Sequence, residues 1–163
     1  MRRYGIIALL LLGSLLLQST LIGVLPLKIK PDLVLILVIF FALFNGVRGG
    51  TVFGAVAGLS QDLLRGRLVG MNLLALAITG YLTGWLANKV FKENIIVPLV
   101  LVFVFTILHG LLMLLFTNLA GIGFSGFTAL RIGLIEALYN TFLVPLFYGK
   151  FLISSTRGSL KPD

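Results

Sequence analysis

Apolar residues run along this chain in blocks, and nearly every charge falls in the gaps between them. The blocks predict a six-transmembrane-helix bundle, with spans at about residues 4–25, 32–47, 50–65, 71–87, 95–119 and 128–153. The first span closes at Pro26, Lys28, Lys30 and Pro31. Pro31 and Asp32 then suit the start of the second. Proline is tolerated where the first-turn N–H has no partner anyway, and a carboxylate meets the positive end of the helix dipole. That span stops at Asn45-Gly46-Val47-Arg48-Gly49-Gly50. Thr51 to Leu64 is short, only ~21 Å against a hydrocarbon core of ~30 Å. Either the flanking glycines and Arg65 extend it, or it does not cross fully. Pro98 falls in the first turn of the fifth span. An uncharged linker, Ala120 to Phe127, leads into the sixth, which carries Arg131, Glu136 and Asn140 inside it.

Composition makes a soluble fold untenable. Hydrophobic residues are 59% of the chain and charged ones 11%, against roughly 45–50% and about 25% in soluble domains. Residues 1–163 therefore read as one integral membrane domain. The first apolar stretch exceeds the ~7–15 residues of a signal-peptide core and ends at no small-x-small cleavage site, so it reads as a retained span. The net charge of +8 sits on Lys and Arg scattered singly or in pairs between apolar runs, the pattern of topology signals rather than of a nucleic-acid surface. With both termini in the cytoplasm, eight of these cations lie inside and five outside, the expected bias for a multi-pass membrane protein. There is no cysteine for a disulfide or thiolate metal site. One histidine and five scattered acids form no legible nucleophile–base pair, metal cluster or phosphate-cradling loop, so neither an enzyme nor a cofactor is expected.

The small and polar residues inside the spans carry the remaining information. Gly50, Gly54, Gly58, Asp62 and Gly66 recur every four residues. In lipid, where no hydrophobic force joins helices, such a track lets two backbones approach closely. It serves either packing within the subunit or a seam for a partner. Asp62 stands three residues before Arg65, close enough for an interfacial ion pair. The other reading turns Asp62 inward to tie down the following loop at Gly70 and the next helix at Asn72. Glu136 lies within a span, where a carboxylate costs several kcal/mol unless paired, neutral or hydrated. Arg131 is about 140° away around the helix and is a poor partner. Gln18 or Ser14 on the first span and His109 on the fifth are better ones. Ala129, Gly133, Glu136 and Asn140 give the last helix a small, polar face aimed into the bundle. His109 by itself reads as a satisfied interior histidine.

The segments Lys30-Pro31-Asp32-Leu33-Val34-Leu35, Gly54 to Gly66, and Leu68-Val69-Gly70-Met71-Asn72 together resemble the rod shape-determining protein MreD family. The likeness rests on a proline-led second span and a G-x-x-x-D-x-x-x-G signature followed by a small turn and another span. It covers about residues 30 to 84, and the last two spans match only in hydropathy and placement. The resemblance implies a bacterial inner-membrane component of the cell-elongation machinery. Its implied partners are MreC, the glycosyltransferase RodA, a class B penicillin-binding protein and, directly or indirectly, MreB. It also implies a fold like the substrate-binding subunits of energy-coupling-factor transporters.

Two functional expectations follow. The first is a non-enzymatic scaffold that docks a partner's membrane-spanning helix along the glycine track, in contact with membrane lipid and not with nucleic acid. The alternative is a small-molecule, vitamin-like binding subunit of a transporter. Its pocket would lie between the first, fifth and sixth spans around Gln18, His109, Glu136 and Asn140, with Phe124 and Phe127 at the mouth.

Overall fold

Residues 33–43 are apolar on every side, and such a helix belongs in the middle of a bundle. The computed structural model describes residues 2–20, 29–66, 69–92, 94–123 and 125–156. In it Val34, Leu35, Val38, Ile39, Ala42 and Leu43 keep no exposed surface. The described residues form five helices and no strand: α1 (Arg2–Thr20), α2 (Leu33–Arg65), α3 (Met71–Leu86), α4 (Ile96–Leu119) and α5 (Gly126–Thr156). Of these, Leu33–Arg65, Ile96–Leu119 and Gly126–Ser155 are long and apolar enough to cross a membrane, and Gly5–Thr20 and Met71–Leu86 are shorter apolar helices. The expected end of the first span at Leu25 lies outside the described residues, as do Lys28 and Arg67 of the charge count.

The expected count of six is corrected to five because α2 takes in both the second and the third expected spans. At Gly46 the backbone leaves the helical conformation (φ 69, ψ −167) while helix continues on either side. Only glycine adopts such a combination readily. The break folds α2 back on itself. Phe41 and Phe53 have ring centroids 4.5 Å apart, and Gln61 Nε2 donates to Asp32 Oδ1 over 3.1 Å. A straight helix would hold those last two residues about 43 Å apart. The second arm, residues 47–65, is roughly 28 Å long at ~1.5 Å per residue, so its flanking residues supply the length that Thr51 to Leu64 lacks.

The glycine track is turned toward α3. A Cβ on Gly50 would come within 2.5 Å of the Gly80 carbonyl oxygen, one on Gly54 would run into that of Leu76, and one on Gly58 into that of Asn72. The fit is reciprocal. Gly80 faces the backbone of Gly50, and a Cβ on Gly84 would stand 2.5 Å from the Gly46 carbonyl. Each step of four forward on α2 thus meets a step of four back on α3, the register of two antiparallel helices whose backbones touch. The groove read from the sequence is filled by the subunit's own α3. Gly66 stands apart from this seam: its φ of 62 ends α2, its N–H bonds the Asp62 carbonyl, and nothing lies near its missing Cβ.

Asp62 closes the seam at its far end. Its Oδ2 accepts from the N–H groups of Gly70 (2.8 Å) and Leu73 (3.1 Å), and its Oδ1 from the N–H (3.2 Å) and Nδ2 (2.7 Å) of Asn72. The first N–H groups of a helix have no partner within the helix, and here a side chain from the neighbouring helix supplies one. Of the two readings of Asp62, the inward tie is the one observed. Arg65 goes to Asn72 Oδ1 instead (3.3 Å).

The remaining helices wrap this unit. Ile7, Leu11, Leu15 and Gln18 form the buried stripe of α1, and α4 pairs with α5. At the Gly46 end, Tyr148 packs edge-on against Phe40 with centroids 5.1 Å apart, and its hydroxyl donates to the Lys92 carbonyl in the α3–α4 connection.

Gly54→Ala and Gly58→Ala are expected to lower the thermal midpoint of the purified protein in detergent, by overpacking of the order of 1–3 kcal/mol each. Gly13→Ala, on a helix face with nothing near its missing Cβ, should leave the midpoint unchanged in the same assay. Asp62→Ala strands several backbone donors and should cost at least ~2 kcal/mol. Protease sensitivity between α2 and α3 is expected to rise with it.

Candidate functional site

Folding α2 at Gly46 brings its two ends, Asp32 and Gln61, to the same end of the bundle, and a buried polar chain assembles there. Asp32 Oδ1 accepts from the N–H of Leu35 (2.9 Å), capping the start of α2, and from Gln61 Nε2 (3.1 Å). Gln61 Nε2 also reaches Gln18 Oε1 on α1 (3.3 Å). On the other side the Asp32 N–H donates to Asn140 Oδ1 on α5 (2.8 Å), and Asn140 Nδ2 donates to Thr106 Oγ1 on α4 (3.1 Å). One hydrogen-bonded chain therefore crosses from α1 through α2 to α5 and α4. Away from water each of these groups needs a partner, and each partner fixes the position of another helix.

Above this chain lies a cavity of about 400 Å³. Lys30, Arg65, His109 and Glu136 line it together with Gln18, Asp32 and Asn72. Its apolar wall comes from α4 and α5, where Gly110, Gly133 and Ala129 stand in place of bulkier residues. A Cβ at Gly133 would meet nothing within 4 Å.

The lining groups divide into occupied and unoccupied. Gln18, Asp32 and Asn72 are held by the bonds already described. Lys30, His109 and Glu136 make no hydrogen bond or ion pair among the described residues, and Arg65 makes only its 3.3 Å bond to Asn72. His109 is only 6% exposed, and its Nε2 is buried without a partner. Burial pushes the Lys30 ammonium below its ordinary range, and Arg65 pushes the same way, while Asp32 and Glu136 pull it back up.

Gln18, His109 and Glu136 meet in one cavity, as the pocket reading expected, and Asn140 belongs to the chain beneath it. Three expectations are corrected. Gln18 makes no hydrogen bond to Glu136; its Oε1 accepts from Gln61 Nε2. His109 is not a satisfied histidine. Phe127, 80% exposed, does not line the cavity, and Phe124 lies outside the described residues. Pro31 is buried at the head of α2, and Gly70, with φ 111, sets the entry to α3.

Sequence reasoning passed over Gln61, Lys30, Thr106, Gly80 and Gly84. Gln61, a polar residue inside an apolar helix, carried a signal of the kind that marks interior positions. Gly80 and Gly84 repeat the spacing of four already noticed on α2. Lys30 was indistinguishable from a topology charge.

No curated protein and no solved structure matches the chain, and the expected likeness to energy-coupling-factor subunits finds no support there. A family model does match: that of the rod shape-determining protein MreD, over residues 2–153 of the 163. The buried Asp32, the seam of Gly54 and Gly58, and the Asp62–Asn72 cap are the same segments in which the sequence resembled that family. The chain belongs to the rod shape-determining protein MreD family and is a membrane protein concerned with cell shape.

Proposed function

We propose that this protein is a non-enzymatic scaffold of the bacterial cell-elongation machinery, seated in the inner membrane with both termini in the cytoplasm. It docks the membrane-spanning helix of MreC and, through that assembly, works with RodA, a class B penicillin-binding protein and MreB. The family match over residues 2–153 carries this reading. The geometry supports it in a second way. Two helices in backbone contact along a glycine seam, locked at one end by Asp62, form a stiff plate that a partner helix can lie against.

Because α3 fills the seam, docking falls to an outward face of the bundle rather than to the glycines. Val52, Val56, Leu59 and Leu63 line one such face of α2, and Leu74, Ile78, Tyr81 and Trp85 another on α3.

The cavity favours a second reading, a small-molecule binding subunit, since about 400 Å³ lies within the range of ligand pockets. Purified protein would then carry a ligand that Glu136→Ala releases.

The chain has no native cysteine, so single cysteines at positions 52, 56, 74 and 78 can be cross-linked to MreC in membranes. The expected result is a cross-link from one face and not the other, with MreC co-purifying with the tagged chain. A tagged chain that inserts normally yet neither captures MreC nor cross-links to it from any outward face removes the scaffold reading.

A further inference from the structure

We propose that the cavity between Lys30, Arg65, His109 and Glu136 binds an amphipathic or small polar molecule through a phosphate group that has an N–H or O–H donor beside it. The argument begins from hydrogen-bonding capacity. Buried polar side chains in folded proteins almost always have partners; Gln61 Oε1 and Thr83 Oγ1 are isolated exceptions, whereas four groups with spare capacity, Lys30, Arg65, His109 and Glu136, border one cavity. His109 is buried on its wall without a partner.

The chemistry of the spare groups selects the ligand. Lys30 offers three ammonium donors, and Arg65 keeps most of its guanidinium donors free beyond the single bond to Asn72. Neither closes an ion pair with Glu136, although all three line the same space. Two cations with free donors on one space suit an anion, and at Lys30 burial first and Arg65 second disfavour a charge left without one. The Asp32 and Glu136 carboxylates border the same space, so the anion must bring a hydrogen-bond donor to meet them. Glu136, with His109, remains to accept a hydrogen bond from the ligand's amino or hydroxyl group. The side-chain-poor stretch at Gly110, Gly133 and Ala129 leaves room for the apolar remainder.

This ligand does not depend on the docking of MreC, so the test uses the purified chain alone. Two sources share the chemistry: a phospholipid head group, and a free phosphate ester. Native mass spectrometry in detergent would be run with phosphatidylethanolamine and phosphatidylglycerol in one arm, and with phosphoethanolamine and sn-glycerol 3-phosphate in the other. The variants are Lys30→Ala, Glu136→Gln and Gly133→Leu, the last to fill the cavity from a position where a side chain meets open space. Their thermal midpoints without probe report whether each is folded.

One arm should give a single bound probe that raises the thermal midpoint, and binding should fall at least about tenfold in Lys30→Ala and Gly133→Leu, with a smaller fall in Glu136→Gln. The arm that binds identifies the source. Should no probe bind in either arm, or should binding persist undiminished in the folded variants as annular lipid does, the proposal is overturned. If Gly133→Leu does not fold, the comparison of wild type with Lys30→Ala and Glu136→Gln decides alone.

Discussion

The backbone-to-backbone contact between α2 and α3 is the constraint on which the other features of this protein rest. In lipid, helices gain little from burying one another's apolar surface, because the solvent is equally apolar. Contact has to come from close packing and from polar groups. Gly50, Gly54 and Gly58 face α3 carbonyls, and Gly80 and Gly84 return the same approach toward α2. A side chain at any of these positions would wedge the helices apart. It would also pull Asp62 away from the N–H groups of Gly70, Asn72 and Leu73, because cap and seam share one register.

The fold at Gly46 converts that seam into a site. By reversing α2 it sets the capping carboxylate of one arm, Asp32, beside Gln61 near the end of the other. A polar pair at the end of the hairpin then recruits α1 through Gln18 and α5 through Asn140, and α5 recruits α4 through Thr106. The bundle is thus organised by two different forces at its two ends. Aromatic packing among Phe40, Phe44, Tyr148 and Phe151 gathers the Gly46 end. A hydrogen-bonded chain gathers the opposite one, where the cavity opens between α2 and the α4–α5 pair.

That cavity and the scaffold role are compatible. In the proposed scaffold the plate formed by α2 and α3 would offer its outward faces to a neighbour, while Lys30, Arg65, His109 and Glu136 line a separate space. Occupation of the space would brace α4 and α5 against α2, since the groups that line it come from all three helices. A protein concerned with cell shape would then carry, within one small bundle, both a surface for partners and a compartment whose content affects how firmly the bundle holds together.

Much of this was readable along the chain, because a bilayer imposes simple rules. Apolar blocks of sufficient length had to be helices, Asp32 behind Pro31 had to start one, and glycines at intervals of four had to face a close neighbour. The polar residues Gln18, His109, Glu136 and Asn140 had to point inward, for want of anywhere else to go. What the chain did not disclose was pairing. Periodicity says which face of a helix is special and not which helix meets it, so the glycine track left open packing within the subunit and a seam for a foreign helix. Gly46 looked like one glycine among several in a turn, and only the folded backbone made it the pivot that puts Asp32 next to Gln61. Lys30 and Arg65 looked like topology charges, since a charge at a helix end has the same sequence signature whether it faces water or a cavity. Local pattern determined the elements and their buried faces; contacts between residues far apart in sequence decided the partners, because a hydrogen bond or a backbone contact depends on position in space.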